Sequence, residues 1–285
     1  MPHPVPAHET RTIEQLREQL EVERELAQRL LAAPRTDGLY SAVYGELLRR
    51  VPHHPSLAQR HDPAAQAALV DLQLRLLAPF LTAETRFLEV GGGDGALAIA
   101  LSGRVRRVVA VEASSEMAAG VAPADNVEVL VRDAPPYPLP DGSVDLAFTC
   151  HFLEHLRDDD ALMHLREMHR LLAPGGRYVC VTPHRLWGPH DISRYFADVP
   201  EGLHLHEYSQ RELLALLARA GFRRRRTIPR LGGTGAWPAH AHSLALEALV
   251  SVPPPRLRRR ALDRLAAGTH PPLRPLEQVM VVASR

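Results

Sequence analysis

Lysine is absent from this 285-residue chain, and all 34 basic residues are arginine. With abundant alanine and 25 prolines, this reflects a GC-rich coding style and says nothing about mechanism. Cysteine is nearly absent too. Cys150 and Cys180 both lie in strand-like segments and read as buried free thiols rather than as a disulfide or a metal site. No apolar run is long enough to span a bilayer. The opening "MPHPVPAHETRTIEQ" has no apolar signal-peptide core. The formal net charge is only +1, so no strong field selects nucleic acid or membrane. The basic runs "RRRR" (Arg223 to Arg226) and "RLRRRALDR" read as solvated surface charge. A base-flipping enzyme would need a stacking slot and a basic groove along the backbone. The expectation is a cytoplasmic protein with neither a membrane nor a nucleic-acid partner.

What is present is enough apolar residue, 45%, to bury a real core in one large domain or one domain with a smaller cap. Residues 1–80 read as helices. In Ile13 to Leu31, apolar Ile13, Leu16, Leu20, Ala27, Leu30 and Leu31 recur at helical spacing between Glu and Arg. "DGLYSAVYGELLRRV" predicts a second helix stopped by Pro52. "HHPSLAQRHDP" reads as a loop. "PAAQAALVDLQLRLLAPFL" opens with proline and predicts a third helix.

From residue 86 strands and helices alternate: "RFLEV", "RVVAVEA", "VEVLVRD", "VDLAFTC", the helix "DDDALMHLREMHRLLA", then "RYVCVTP". Such alternation predicts a parallel sheet with helices on both faces. "SQRELLALLARAG" predicts a helix with Ser209 as N-cap and Gly221 just past its end. "FRRRRTIPRL" predicts a strand with solvent-facing arginines. A Pro-rich insertion at about 232–275 then precedes "LEQVMVVASR", read as a closing antiparallel strand.

The stretch "FLEVGGGDGALAIAL" joins a strand to a helix through a glycine cluster. Read as G-x-G-x-x-A on Gly91, Gly93 and Ala96, it fits a dinucleotide fingerprint. Read as E-x-G-x-G-x-G on Glu89, Gly91, Gly93 and Gly95, it resembles motif I of class I S-adenosylmethionine-dependent methyltransferases. Glu112, about 20 residues on, suits both, because each places a carboxylate on ribose hydroxyls there. A pyrophosphate needs a helix N-terminus free of negative side chains. Glu89 and Asp94 flank the turn and would repel phosphates, but they suit a ligand with an ammonium and a sulfonium.

"VEVLVRDAPPYPLPDGSVDLAFTCHFLEHL" and "LLAPGGRYVCVTP" resemble the family's later blocks, in order, over about Phe87 to Phe222. The resemblance is to small-molecule methyltransferases of types 11 and 12. It implies a Rossmann-like, doubly wound α/β fold: a seven-stranded sheet with an antiparallel last strand, here carrying an N-terminal helical cap. The expected domains are a cap over 1–80 and the methyltransferase domain over 81–285. The implied cofactor is S-adenosylmethionine, held by Glu89, Gly91, Gly93, Asp94, Gly95, Glu112, Asp133, Ala134 and His151. Asp133 would accept from the adenine amino group, and the Ala134 N–H would meet a ring nitrogen.

Acceptor chemistry belongs beyond the carboxyl ends of the fourth and fifth strands. In-line displacement at a sulfonium needs no acid for the neutral thioether that leaves, but a hydroxyl or ammonium acceptor needs a base. His151 sits closest to the fourth strand's end, and the family's "LEH" makes Glu154 and His155 structural or cofactor-pocket residues. The long loop "TPHRLWGPHDISRYFADVPEGLHLHEYS" offers His190 with Asp191 as base and orienting carboxylate, and His184 as the other base. Trp187, Tyr195 and Phe196 of this loop, with Tyr40 and Tyr44 of the helices, are candidate acceptor walls. His204, His206 and Glu207 read as structural. No H-E-x-x-H or paired-cysteine spacing appears, so no metal is expected.

The N-terminal helices are expected to cover the acceptor; the other readings are an amphipathic cap packed on the sheet and a dimer contact, the latter implying a homodimer. The functional expectation is methyl transfer to a small-molecule acceptor, favouring oxygen, in bacterial secondary metabolism. The alternatives are a cofactor-binding fold catalysing cyclisation, elimination or decarboxylation, and a non-catalytic binding module.

Overall fold

The structure, a computed structural model, describes residues 9–60, 62–118, 124–228 and 278–285, with a few positions between 244 and 252. The insertion expected at 232–275 lies almost wholly outside the described residues.

Helix α1, Ile13–Ala32, starts where Thr12 and Gln15 form a reciprocal capping box. Its buried stripe runs through Leu16, Leu20, Leu26 and Leu30, and it includes Gln19 and Glu23. Helix α2, Leu39–Arg50, follows the left-handed Gly38 and ends just before Pro52. The segment read as a loop instead forms a short helix, α3, Pro55–Arg60. Proline is preorganised for a first helical position, and His54 Nδ1 accepts from the Ser56 N–H. Helix α4, Pro63–Leu77, is capped by Asp62, which accepts from Ala64 and Ala65 at 3.0 and 3.1 Å.

The alternating half then runs β1 Arg86–Val90, α5 Ala96–Ser102, β2 Arg107–Glu112, α6 Ser115–Ala118, β3 Val127–Val131, β4 Val144–Cys150, α7 Asp158–Leu171 and β5 Leu172–Pro183. It closes with α8 Gln210–Arg219, β6 Arg224–Thr227 and β7 Gln278–Ser284. Ser209 and Glu212 form a capping box at the start of α8, and Gly221 follows its end at φ 106°.

The seven strands form one sheet in the order β3-β2-β1-β4-β5-β7-β6. The first five pair in parallel, and β7 runs antiparallel between β5 and β6. The order reverses at β1 and β4, which opens a crevice at their carboxyl ends. The arginines of β6 lie at the sheet edge, with Arg224 and Arg226 exposed and Thr227 buried.

Two apolar clusters cover the two faces. On one, Leu88, Val90, Val109, Val111 and Cys180 of the sheet pack with α1, α2, α7 and α8. On the other, Phe87, Val108, Leu146, Phe148 and Val179 pack with α5 and with Leu74 and Leu77 of α4. The helices counted together as an N-terminal cap therefore divide. α1 and α2 share the first cluster with the sheet, whereas α4 lies against α5 on the other face. Cys150 and Cys180 are free, and burial pushes both thiols up to about 12.

Candidate functional site

A cavity of about 790 Å³ opens where β1, β2 and β4 end, roofed by α1 and α2. One end is built by the glycine loop. Gly91, at φ 73°, donates its N–H to the Val111 carbonyl at 2.9 Å. A Cβ there would sit 2.5 Å from the Phe152 ring, so both backbone and packing require glycine. Gly93, at φ 76°, has open space on its Cβ side and donates its N–H to Glu112 Oε1 at 2.9 Å. Glu112 is buried at the end of β2 and lines the cavity. Asp133, after β3, also lines it, and its Oδ2 accepts from the Tyr40 N–H at 3.2 Å. That bond ties the first turn of α2 to the cavity.

Not every loop residue faces the cavity. Glu89 is buried beneath the loop, against Gly92, and accepts from the Ala98 N–H. Burial, reinforced by the charges of Glu112 and Asp94, raises its carboxyl to about 8. It is therefore mostly neutral near pH 7, so the loop's repulsion of phosphate falls to the remaining acids. Asp94 accepts from the Ala96 N–H at 3.0 Å and from the Gln66 side chain of α4, capping α5 rather than lining the cavity. Gly95 is the N-cap residue of α5, and Ala134 lies beside Asp133 outside the lining.

His151 directly follows β4 at φ 53°, the only positive φ outside glycine among the described residues. Such a conformation persists only where the surroundings enforce it. Its Nδ1 donates to Glu154 Oε1 at 3.2 Å, and Nε2 accepts from Gln278 Nε2 at 3.0 Å. Gln278 is the first residue of β7 and pairs with Pro183. An antiparallel strand begins where its neighbours end, which brings Gln278 to the cavity.

The other end is polar and rich in histidine. His190 Nε2 donates to the His184 carbonyl at 3.0 Å, which leaves Nδ1 as its basic nitrogen. Burial lowers its pKa, so the ring is neutral near pH 7. Asp191 also lines the cavity, but it does not orient His190. Its oxygens accept from the Ser193 and Gly202 N–H groups at 3.0 and 2.9 Å, and burial raises its pKa.

His184 is not at the cavity. It is fully buried, with Nδ1 accepting from the Leu186 N–H at 3.1 Å and Nε2 donating to Glu247 at 3.1 Å. Both ring nitrogens are committed to holding the chain, which removes it as a base. Trp187 packs edge-on against His184, and Phe196 packs beside Leu16 and Leu20 of α1, so neither is a wall of the cavity. Tyr40, Tyr44 and Tyr195 do line it. The Tyr40 hydroxyl donates to Asp160 at 2.6 Å and accepts from the Arg157 N–H at 3.1 Å, and that of Tyr195 donates to Glu9 at 2.8 Å. The buried Tyr44 hydroxyl has no hydrogen-bond partner among the described residues.

Sequence reading missed the contribution of α1. Gln19 and Glu23 both reach the cavity; Glu23 accepts from Gln19 Nε2 at 2.6 Å and from the Leu203 N–H at 3.1 Å. The readable signal was two polar residues inside the stripe of Leu16, Leu20, Leu26 and Leu30. His155, read as a structural or cofactor-pocket residue, and His204, read as structural, also line the cavity. Burial takes His155 down to about 4. Burial opposes charge on His204, yet its 2.8 Å bond to Glu207 raises it to about 9. Burial opposes charge on Glu154 too, but the His151 bond and nearby imidazoles hold it at about 2.

Among solved structures, a SAM-dependent methyltransferase from Archaeoglobus fulgidus superposes with a TM-score of 0.55 at 17% identity, covering 81% of this chain and all of that one. A Mesorhizobium loti S-adenosylmethionine-dependent methyltransferase gives a TM-score of 0.50 at 19% identity, covering 76% of this chain and all of that one. At these identities the likeness shows the fold. In sequence, the chain is 32% identical over 151 residues to the "Probable S-adenosylmethionine-dependent methyltransferase" of Mycolicibacterium smegmatis, 52% of this chain and 56% of that protein. It is 38% identical over 111 residues to the ubiquinone/menaquinone biosynthesis C-methyltransferase of Rubrivivax gelatinosus, 38% of this chain and 42% of that protein. The chain thus spans about half the length of the curated relatives it matches. Among the described residues no helix is long and apolar enough to cross a membrane. The model of the methyltransferase domain family matches residues 59–226, more than half of the chain. With the strand order and the glycine loop, this match shows that the chain belongs to the methyltransferase domain family, in its class I, S-adenosylmethionine-dependent form.

Proposed function

We propose that the protein transfers a methyl group from S-adenosylmethionine to an oxygen of a small, polar acceptor. The observation that carries this reading is one cavity with two unlike ends: Gly91, Glu112 and Asp133 at one, His190 at the other. Glu112 would accept from the cofactor's ribose hydroxyls and Asp133 from its adenine. Bound there, the cofactor supplies a methyl on a cationic sulfur and leaves as a neutral thioether. His190 Nδ1 would take the acceptor's proton, and the His184 carbonyl fixes the tautomer that makes Nδ1 basic. Helices α1 and α2 would form a lid, since Gln19, Glu23, Tyr40 and Tyr44 close the cavity over the sheet and exclude water.

The histidines and acids at the acceptor end, His155, His190, Asp191 and His204, favour a hydroxylated acceptor. Placing that acceptor in bacterial secondary metabolism rests on the resemblance to small-molecule methyltransferases together with the GC-rich coding style. The test is mass spectrometry of hydroxylated small molecules incubated with the protein and S-adenosylmethionine. A product heavier by one methyl group, formed with the demethylated cofactor, is expected. A product without a methyl gain would mean another reaction: an elimination or decarboxylation where mass is lost, a cyclisation where an isomer of unchanged mass forms. No binding of S-adenosylmethionine by calorimetry would mean a non-catalytic module.

A further inference from the structure

We infer that Glu154, His155 and His204 form a binding site for a divalent transition-metal ion, Zn²⁺ by donor type, at the acceptor end of the cavity. One ligating atom of each residue lies within 4.8 Å of the others. Two imidazoles and a carboxylate are a donor set that zinc accepts, with a further position left for an exogenous oxygen.

The surroundings of the three residues are those of metal ligands. His155 Nδ1 donates to the Leu203 carbonyl at 3.1 Å, and His204 Nδ1 donates to the Glu207 carboxylate at 2.8 Å. Both bonds hold a proton on Nδ1, so His155 offers the lone pair of Nε2 and the charged His204 ring gives up its Nε2 proton when an ion binds there. A metal-bound histidine almost always makes such a bond, because it fixes the ring and its tautomer. Glu154 is fully buried and is held on both oxygens, by His151 at 3.2 Å and by Thr182 at 2.9 Å. Each carboxylate oxygen keeps a second lone pair for an ion.

A separate observation points to the same place. The Tyr44 hydroxyl is buried without a partner among the described residues, and its ring stands edge-on to His155 with centroids 5.6 Å apart. An unsatisfied buried hydroxyl costs free energy unless something at the site meets it. An ion on Glu154, His155 and His204, or the water it carries, supplies that partner. Ligands of one tetrahedral ion sit about 3.3 Å apart at the usual bond lengths. Donors that lie within 4.8 Å of one another therefore draw together by at most about 1.5 Å on binding, a movement that small ring rotations provide. The ion's open position would face the cavity, where it would bind an acceptor oxygen and make its hydroxyl more acidic.

The site does not depend on the methyl-transfer reading, because metal binding is measured on the protein alone. The full chain is stripped with chelator, equilibrated with Zn²⁺ and assayed by elemental mass spectrometry. The wild type should hold one ion per chain more than the His155→Ala/His204→Ala double variant. Glu154→Gln should weaken binding by at least about tenfold, and Glu207→Gln, which removes no ligand, by about 10- to 100-fold. His206→Ala, an outward histidine bonded to Asp158, should leave the count unchanged. Equal zinc in the wild type and the double variant overturns the inference, as does an equal loss in His206→Ala. Should the variants fail to fold, Co²⁺ titration of the wild type decides: intense visible absorption of a four-coordinate ion at one equivalent supports the site, and an octahedral aqueous spectrum overturns it. Calorimetry with S-adenosylmethionine on the metal-stripped protein separates a failure here from a failure of the methyl-transfer reading.

Discussion

The Nε2 of His190 lies 3.0 Å from the carbonyl oxygen of His184, and this one bond gives the two histidines different jobs. His190 keeps a basic Nδ1 at the cavity, while the His184 side chain is spent on the Leu186 N–H and on Glu247. His190→Ala should lower turnover by about 10²- to 10⁴-fold, the usual contribution of a general base, with cofactor affinity little changed. His184→Ala should instead lower the melting temperature, because it strands Glu247 and an uncapped turn. Steady-state kinetics and thermal melts on both variants test the division, and the reverse pattern would sink it.

Cofactor affinity should rest on Glu112 and Asp133, the two acids that line the glycine-loop end. Replacing either with alanine should weaken S-adenosylmethionine binding by about 10- to 100-fold, from a hydrogen bond to a charged group worth about 1.5–3 kcal/mol. Titration calorimetry reads this directly. Unchanged affinity in both variants would place the cofactor elsewhere.

The loop glycines should differ in what they tolerate. Gly93→Ala carries the cost of a left-handed backbone, about 1–2 kcal/mol, but meets nothing within 4 Å. Gly91→Ala carries the same cost and also drives a methyl to 2.5 Å from the Phe152 ring. Urea denaturation should rank Gly91→Ala as clearly the less stable protein. Equal stabilities would mean that Phe152 moves aside freely.

Glu89 makes a pH prediction. Its folded pKa is raised from 4.5 to about 8, so between those values the native state holds a proton that the unfolded chain releases. Stability must then fall as pH rises through that window, and the deficit is complete above pH 8. Glu89→Gln keeps an acceptor for the Ala98 N–H but cannot ionise. It should gain on the wild type by a few kcal/mol between pH 5 and pH 8 without cofactor. Melts of the two proteins at both pH values check this, and a constant difference would falsify the assigned shift.

Much of the fold was legible because its signals are local. Apolar strands bounded by turns, Ser209 before α8, and Gly221 after it each encode a backbone state within a few residues. The glycine loop was legible for the same reason, since left-handed conformations at Gly91 and Gly93 need glycine wherever they occur. The acceptor end was harder to read. His190 beside Asp191 suggested a catalytic pair, yet neighbours in an irregular turn point apart, and the backbone supplied the partner. Gln278 and Glu23 lie far along the chain from the loop they meet, and no local pattern marks them as cavity residues.

The sequence by itself determined the strand order, most of the helices, the cofactor turn and the family, because short-range backbone preferences and motif spacing carry that information. Only the tertiary structure decided which acids face the cavity, which histidine keeps a basic nitrogen there, and that Glu154, His155 and His204 converge. Those outcomes depend on burial and on hydrogen-bond partners contributed by distant segments, and both arise only when the sheet, its crossovers and the α1–α2 roof close on one another.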